Sequence, residues 1–215
     1  TWEGWKKATG VEIVEGYGLS ETSPLVAANP LTGKKKINSI GLPVPLTEVK
    51  IAKIDFPDES VGINVEGEIC LRGPQIMQGY WNRPEETAKV MDKDGYFHTG
   101  DVGYIDEDGY IFIVDRIKDM VIVNGFKAFP RHVEEAIMKH PAVAEVIVLG
   151  VPDDEKGEAV KAFIVLKQDQ KVTAEELNGF LKDKLAHYEQ PKPKNIEFRD
   201  ELPKTNVGKI LRREL

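Results

Sequence analysis

The chain has 215 residues, 41% of them hydrophobic and 30% charged, which is ordinary for a globular protein with one large domain or two smaller ones. Its net charge of -7 argues against nonspecific nucleic-acid binding, which needs a basic surface. One cysteine, Cys70, excludes an internal disulfide framework and a cysteine-based zinc site, and it favours a reducing, cytoplasmic setting. No apolar run approaches the ~20 residues of a transmembrane helix.

Residues 10–117 are rich in short β-type runs separated by turn residues. Residues 68–71 and 111–114 are two such runs, and residues 103–112 predict a hairpin closed by an Asp-Gly turn. Cys70 then reads as a small apolar residue on a buried strand. Short strands at this spacing predict a β-rich, barrel-like or sandwich-like subdomain.

The pattern changes after residue 118. Pro130 suits the first turn of a helix, and a capping box at residues 173–176 begins a second, amphipathic helix. Residues 144–151 and 160–166 are apolar runs that fit buried strands. The order β-β-α-β-β-α-β then describes a small α+β domain around a mostly antiparallel sheet. We place the boundary so that the domains are 1–117 and 118–215.

The first motif that could carry chemistry is Glu15-Gly16-Tyr17-Gly18-Leu19-Ser20-Glu21-Thr22. Its glycines let a ligand come close to the backbone, and an aromatic ring between them could stack on a base. The hydroxyl and carboxylate that follow suit a phosphate oxygen and a Mg²⁺ ion. The alternative is a Gly-rich turn that leads into a helix capped by Ser20.

The second motif, residues 94–101, ends in Gly100-Asp101 at the start of a predicted strand. A carboxylate at that place could accept both hydroxyls of a ribose. The alternative is an Asp-Gly hairpin turn whose side chains are satisfied locally.

The third motif, residues 115–126, places four charges within its first five residues, between two apolar runs. It fits a polar surface turn, but its place at the predicted domain boundary favours a hinge.

The fourth motif, residues 202–213, has a Gly-Lys pair that superficially resembles a P-loop. Pro203 stands where the first glycine should be, and no Ser or Thr follows Lys209, so it fails that test. It is either a basic tail or a lysine on a Gly-hinged loop that reaches an anionic substrate.

The four histidines show no metal-ligand spacing.

Order and spacing make these motifs specific when they are taken together. With Gly67-Glu68-Ile69 and Gly79-Tyr80-Trp81 between them, they resemble the superfamily of acyl-CoA synthetases, nonribosomal peptide adenylation domains and luciferases. The resemblance covers essentially the whole chain. Residues 41–45, 73–81 and 198–204 look most like bacterial long-chain fatty acid–CoA ligases.

The resemblance implies ATP- and Mg²⁺-dependent conversion of a fatty acid to an acyl-adenylate, followed by transfer to coenzyme A. Residues 1–117 would then be the C-terminal part of the large AMP-binding domain, and residues 118–215 the small mobile C-terminal domain. The family pattern also implies the nucleotide contacts: Gly16 and Tyr17 at the adenine, Ser20 at the α-phosphate, Glu21 at Mg²⁺, and Asp101 with Arg116 at the ribose.

Three further roles are carried over from the family. Lys209 would reach the carboxylate and α-phosphate oxygens and stabilise the anionic transition state. Lys118 would be the hinge for rotation of the small domain between the half-reactions. Gly125 would lie beside the pantetheine tunnel and leave the thiol unobstructed.

The chain departs from the family pattern in two places. The family's phosphate-binding loop precedes the Tyr-Gly-Leu-Ser-Glu motif, and nothing like it occurs in residues 1–16. We therefore expect most of the acyl pocket to be absent and the chain to be inactive by itself. Relatives usually carry a lysine where Glu189 follows Tyr188, which puts a contact to CoA phosphates there in doubt.

Two alternatives stay open beside a long-chain fatty acid–CoA ligase. One is a ligase of another acid, aryl or shorter acyl. The other is a noncatalytic nucleotide- or partner-binding derivative of the fold. The expected partners are small molecules and not nucleic acid. Peripheral membrane contact and a homodimer are left open.

Overall fold

The structure, a computed structural model, describes residues 2–206, 208 and 210–215, with the side chains of Trp2, Glu3 and Arg213 left out of the description. The chain divides into two compact units, Thr1–Ile117 and Lys118–Leu215. Lys209 lies outside the described residues, so its role stays a sequence-based prediction. The assignment of the units to a large AMP-binding domain and a mobile domain also stays a prediction.

The first unit is rich in short strands. In chain order its elements are α1 (Trp2–Thr9), β1 (Gly16–Gly18), β2 (Leu25–Ala28), β3 (Leu42–Pro43), β4 (Glu48–Ala52), β5 (Gly67–Arg72), α2 (Pro84–Val90), β6 (Phe97–Ile105) and β7 (Ile111–Arg116).

These strands form two antiparallel sheets, one of order β1-β2-β3 and one of order β4-β5-β6-β7. A bridge between Gly41 and Ile111 links them. Because β4 and β7 are not paired with each other, the described strands form open sheets and not a closed barrel. The β-rich prediction is therefore confirmed, and the barrel-like closure is not.

The core of this unit gathers apolar side chains from both sheets. Its buried members are Val26, Ala27, Ile51, Ile69, Leu71, Phe97 and Ile111. Cys70 is fully buried on β5, as the sequence predicts. The predicted hairpin is β6 and β7, and the Asp106 carboxylate stabilises its turn by accepting the N–H groups of Asp108 and Tyr110, each at 3.0 Å.

The second unit has the predicted order of elements. They are β8 (Val121–Val123), β9 (Phe126–Ala128), α3 (Pro130–Met138), β10 (Val143–Asp153), β11 (Gly157–Leu166), α4 (Ala174–Leu181) and β12 (Ile196–Phe198). Strands β8 to β11 pair antiparallel, and β12 pairs parallel to β11. The α+β class and the mostly antiparallel sheet are confirmed.

Local signals explain where the two helices of this unit begin. Pro130 occupies the first turn of α3. The hydroxyl of Thr173 accepts the Glu176 N–H at 3.1 Å, and the Glu176 carboxylate accepts the Thr173 N–H at 2.8 Å, which is the predicted capping box of α4. His140, placed by helical spacing on the first helix, lies beyond its end at Met138.

The sheet of the second unit is covered on both faces. Helices α3 and α4 bury Val133, Ile137, Leu177 and Leu181 against one face. On the other face Ile147 and Phe163 pack with Leu202 and, less completely, with Ile210 and Leu215 of the C-terminal segment. Among the described helices, none combines the length and hydrophobicity needed to cross a bilayer.

Candidate functional site

A bulge in β6 sets the place of Asp101. Glu68 pairs with Val102 and Cys70 with His98, so residues 99–101 stand opposite Ile69 alone. Bulges re-aim side chains, and they recur beside active sites. Asp101 therefore lies in the interior of β6, and its predicted place at the start of a strand is wrong.

The carboxylate of Asp101 is buried and bonded on both oxygens. The Tyr17 hydroxyl donates to Oδ2 at 2.5 Å. Arg116, the cross-strand partner of Asp101 on β7, brings Nε to 3.1 Å from Oδ1. The structure thus brings together three residues that the sequence assigned to one nucleotide site.

The ring of Tyr17 packs partly against the core of the first unit, with its hydroxyl on Asp101. Burial, and then the hydrogen bond to Asp101, hold the pKa of the Tyr17 hydroxyl well above its usual range. Tyr17 is therefore a neutral donor that orients the carboxylate.

The two glycines beside Tyr17 differ. A Cβ on Gly18 would lie 1.4 Å from the carbonyl oxygen of Pro24, so the packing of the chain against itself demands glycine there. A Cβ on Gly16 would come no closer than 3.1 Å, to the end of the Leu25 side chain. Packing alone therefore explains why residue 18 is a glycine, independently of any ligand.

The segment after Tyr17 continues as a short 3₁₀ helix, Ser20–Thr22. Ser20 is exposed, and the residue that caps this turn is Thr22, whose hydroxyl accepts the Leu19 N–H at 2.8 Å and donates to the Pro24 carbonyl at 2.7 Å. The alternative in which Ser20 caps a helix is wrong. The Ser20 hydroxyl is left at the surface, available to a ligand.

Glu21 is held at one oxygen, where the Tyr80 hydroxyl donates to Oε1 at 2.9 Å. Burial and this hydrogen bond raise the pKa of Tyr80. A partly exposed carboxylate of this kind fits Mg²⁺, which is bound in proteins by one or two carboxylates together with phosphates and water. The Glu21 side chain therefore fits its predicted role.

Sequence reasoning missed a buried polar network next to Asp101. The Glu68 carboxylate contacts His98 Nδ1 at 2.8 Å and accepts the Gly100 N–H at 2.9 Å. Hydrogen bonds to Cys70 and to Glu68 raise the pKa of His98 to about 10. Cross-strand pairing brings these residues together, and a motif search along the chain does not detect it.

Glu68, Cys70 and His98 are also potential metal ligands, within 4.8 Å of one another. Glu68 and His98 contact each other directly, with a Glu68 oxygen 2.8 Å from His98 Nδ1. The other carboxylate oxygen accepts the Gly100 N–H. Burial raises the pKa of the Cys70 thiol. The cluster is a satisfied hydrogen-bond network.

In the second unit, Lys118, the predicted hinge residue, is followed by a residue that belongs to a cluster of ion pairs. Lys118 belongs to a 3₁₀ helix, Ile117–Asp119. The next residue, Asp119, lies 3.8 Å from Nη1 of Arg212, whose Nη2 lies 3.0 Å from Oε1 of Glu134. Arg212 therefore joins the C-terminal segment to the residue that follows the predicted hinge.

The C-terminal segment has further attachments around its turn. Lys204 bridges to Ile210 and reaches Glu145 with Nζ at 2.5 Å. The Gly208 N–H donates to the Thr205 carbonyl at 2.8 Å. Lys204 and Ile210 thus pair with each other, and Ile210 packs on the sheet face opposite the helices.

Gly125 lies at an open turn, with no atom within 4 Å of the place where a Cβ would stand. The adjacent ring of Phe126 stacks on Tyr188, with centroids 5.0 Å apart. Near that ring lies a cavity of about 300 Å³. Its basic lining residues are Lys156, Lys182, His187 and Lys192.

Glu189, which departs from the family pattern, is a buried structural residue. Its carboxylate contacts His132 Nδ1 at 2.9 Å and accepts the Ala186 N–H at 2.9 Å. Burial acts to raise the pKa of Glu189, but these two hydrogen bonds outweigh it and lower the pKa. Glu189 supplies no positive charge to a ligand.

Known families match both parts of the chain. Residues 1–81 match the AMP-binding enzyme family, and residues 132–209 match the AMP-binding enzyme C-terminal domain. The fold and the cluster around Asp101 agree with an adenylate-forming class of enzyme. The chain belongs to the AMP-binding enzyme family.

A long-chain-fatty-acid–CoA ligase of Bacillus subtilis (strain 168) is 52% identical over 98% of the chain, which spans 37% of that relative's length. The solved structure of ATP-bound MatB from Rhodopseudomonas palustris has a TM-score of 0.91 at 32% identity, over 99% of this chain and 42% of that one. The anthranilate CoA ligase AuaEII in complex with anthranoyl-AMP has a TM-score of 0.81 at 34% identity, over 99% of this chain and 41% of that one.

Proposed function

We propose that the chain works as the C-terminal part of a long-chain fatty acid–CoA ligase. This enzyme activates a fatty acid with ATP to an acyl-adenylate and pyrophosphate, and then transfers the acyl group to the CoA thiol. The observation that carries the proposal is the buried Asp101 carboxylate, held by Tyr17 and Arg116 in a chain 52% identical to such a ligase.

In this proposal the first unit binds the nucleotide. Asp101, with Arg116 beside it, accepts the ribose hydroxyls, and Gly16 and Tyr17 border the adenine. Ser20 contacts the α-phosphate, and Glu21 would hold Mg²⁺, which neutralises phosphate charge when it is bound. The partly exposed Glu21 carboxylate and the exposed Ser20 hydroxyl support these roles.

The second unit supplies the hinge at Lys118, the reactive lysine and the thiol path. Lys209 stabilises the charge that develops on the carboxylate and α-phosphate oxygens. The open turn at Gly125 leaves room for pantetheine, and the cavity near Tyr188, whose lining includes three lysines and Asp153, suits the CoA phosphates. A cytoplasmic location and small-molecule partners remain part of the proposal.

The fatty acid is favoured over an aryl acid because the relative with 52% identity is named for it, whereas the anthranilate ligase is 34% identical. The test is acid-dependent pyrophosphate exchange by the complete ligase that contains this chain, with palmitate, hexanoate and anthranilate compared at equal concentration. Preference for palmitate supports the proposal. Preference for anthranilate would show that the substrate is an aryl acid. The absence of exchange with any of the three acids would refute the function.

The chain alone is expected to give no measurable exchange, because the family's phosphate loop has no counterpart in residues 1–16. Robust exchange with palmitate by the 215 residues would contradict this part of the proposal.

A further inference from the structure

The backbone of the β6 bulge has donors that the sheet ladder does not satisfy. Two side chains take over that task. The Thr99 hydroxyl accepts the Asp101 N–H at 3.0 Å and donates to the Ile69 carbonyl at 2.8 Å. The Glu68 carboxylate accepts the Gly100 N–H at 2.9 Å. The conformation of the residues that carry Asp101 therefore depends on Glu68.

Gly100 has a φ of +70°, in the left-handed region that the bulge requires. Glycine has the widest conformational freedom, so its place must be determined by contacts that it receives from elsewhere. The hydrogen bond from its N–H to Glu68 is such a contact, and it lies one residue before Asp101.

Glu68 is itself held in place. Its second oxygen contacts His98 Nδ1 at 2.8 Å, and His98 Nε2 lies 3.6 Å from Asp92, which pairs with Lys50 at 2.9 Å. Charges alternate along this chain of four side chains, and each is at most 17% exposed. Glu68 contacts His98 with one carboxylate oxygen and the Gly100 N–H with the other, so the network holds the carboxylate from both sides.

We propose that Glu68 is a positioning residue for Asp101, which it orients through the Gly100 N–H so that the carboxylate meets the ribose hydroxyls. This inference rests on the proposed function, in which Asp101 binds the ribose of ATP. Glu68 acts on the nucleotide through the Gly100 N–H, so its contribution depends on whether the nucleotide has both ribose hydroxyls.

The experiment compares ATP with 2′-deoxy-ATP in the complete ligase, through the ratio of kcat/KM for the two nucleotides. Glu68→Ala is expected to raise the KM for ATP about tenfold, and to lower the preference for ATP by a similar factor, because a misplaced carboxylate no longer recognises the 2′-hydroxyl. Glu68→Gln retains an acceptor for the Gly100 N–H and is expected to restore most of the preference.

Glu48→Ala is the matched control, since Glu48 is a carboxylate of the same sheet that pairs with Arg72 at the surface. It should leave the preference unchanged. If Glu68→Ala does not fold, Glu68→Asp replaces it. The aspartate side chain is one methylene shorter than that of Glu68, so its carboxylate reaches the Gly100 N–H less well. We expect an intermediate loss of the preference for ATP.

Equal loss of activity with both nucleotides in the Glu68 variants would show a role in stability alone and overturn the proposal. Asp101→Ala separates this failure from a failure of the proposed function. If Asp101→Ala abolishes the preference and the Glu68 variants keep it, only the role of Glu68 is refuted. If Asp101→Ala also keeps the preference for ATP, Asp101 does not recognise the ribose. The proposed role of Glu68 is then refuted as well.

Discussion

The Tyr17 hydroxyl donates a hydrogen bond of 2.5 Å to Asp101, a residue 84 positions away in the sequence. Arg116 approaches the other carboxylate oxygen at 3.1 Å. An ionised carboxylate has about four lone-pair sites, so these two donors leave an acceptor site on each oxygen. The carboxylate is therefore oriented, and its unused acceptor sites are the ones that the proposed ribose contact requires.

We expect Tyr17→Phe to weaken ATP binding and leave the fold intact. The ring keeps its packing, but Asp101 loses the donor that orients it, so we expect about a tenfold rise in the KM for ATP because a misplaced carboxylate binds the ribose less well. Steady-state kinetics of the complete ligase measure this effect. Tyr96→Phe, which removes a hydroxyl bonded to the exposed Glu48, is the control. Equal changes in both variants would contradict the role of Tyr17.

Lys118→Pro is expected to separate the two half-reactions. Proline restricts φ and removes a backbone donor, so it should block the proposed rotation of the second unit between the two half-reactions. Adenylate formation should remain within about threefold of the wild type, while thioester formation falls by about a hundredfold. Pre-steady-state assays of each step measure this, with Lys118→Ala as the control that keeps both. Equal loss of both steps in Lys118→Pro would count against a hinge.

Arg212→Ala is expected to loosen the C-terminal segment. The change removes contacts at 3.0 Å to Glu134 and 3.8 Å to Asp119. Because small displacements of a catalytic group are costly, adenylate formation should fall by about tenfold. Hydrogen exchange of residues 203–211 should rise in parallel. Arg131→Ala, at an exposed ion pair on α3, should change neither quantity. Unchanged exchange and unchanged rate in Arg212→Ala would refute the attachment.

The network around His98 predicts a dependence of stability on pH. Hydrogen bonds to Cys70 and Glu68 raise the pKa of His98 from 6.5 to about 10 in the folded chain. Folding therefore favours the protonated form, and the resulting stabilisation is complete below about pH 6.5 and disappears as the pH rises through about 10.

Within that window, the free energy of unfolding should fall by up to about 1.4 kcal/mol per pH unit from this residue. Urea unfolding at several pH values measures the slope. His98→Gln should flatten it by removing the titrating group. An identical slope in the wild type and in His98→Gln would show that another group titrates.

Much of the fold could be predicted because its signals are local. The capping box at Thr173 and Glu176, and the Asp-Gly turn of the hairpin, act over a few residues and appear in the structure as expected. The end of α3 at Met138 could not be read from the spacing of apolar residues, because His140 continues the pattern after the helix has stopped.

Residues of the candidate site could be predicted where a sequence motif marks them. They could not be predicted where only the register of paired strands brings them together. Asp101 and Arg116 belong to separate motifs, and their meeting follows from the pairing of β6 with β7. The bulge at residues 99–101 has no counterpart in the hydrophobic pattern. For the same reason Glu68 and His98 were not recognised as partners of the site, since nothing along the chain indicates that they face each other.

Lys209→Ala is the variant that most sharply separates the proposed role of this chain in adenylate formation from its proposed role in thioester formation. The measurement is single-turnover kinetics of the complete ligase, first with ATP and palmitate, and then with supplied palmitoyl-adenylate and CoA. We expect adenylate formation to fall by at least about a hundredfold, because the negative charge of the transition state loses its cation, while thioester formation stays near the wild-type rate. Adenylate formation at the wild-type rate, or equal loss of both steps, would contradict this expectation.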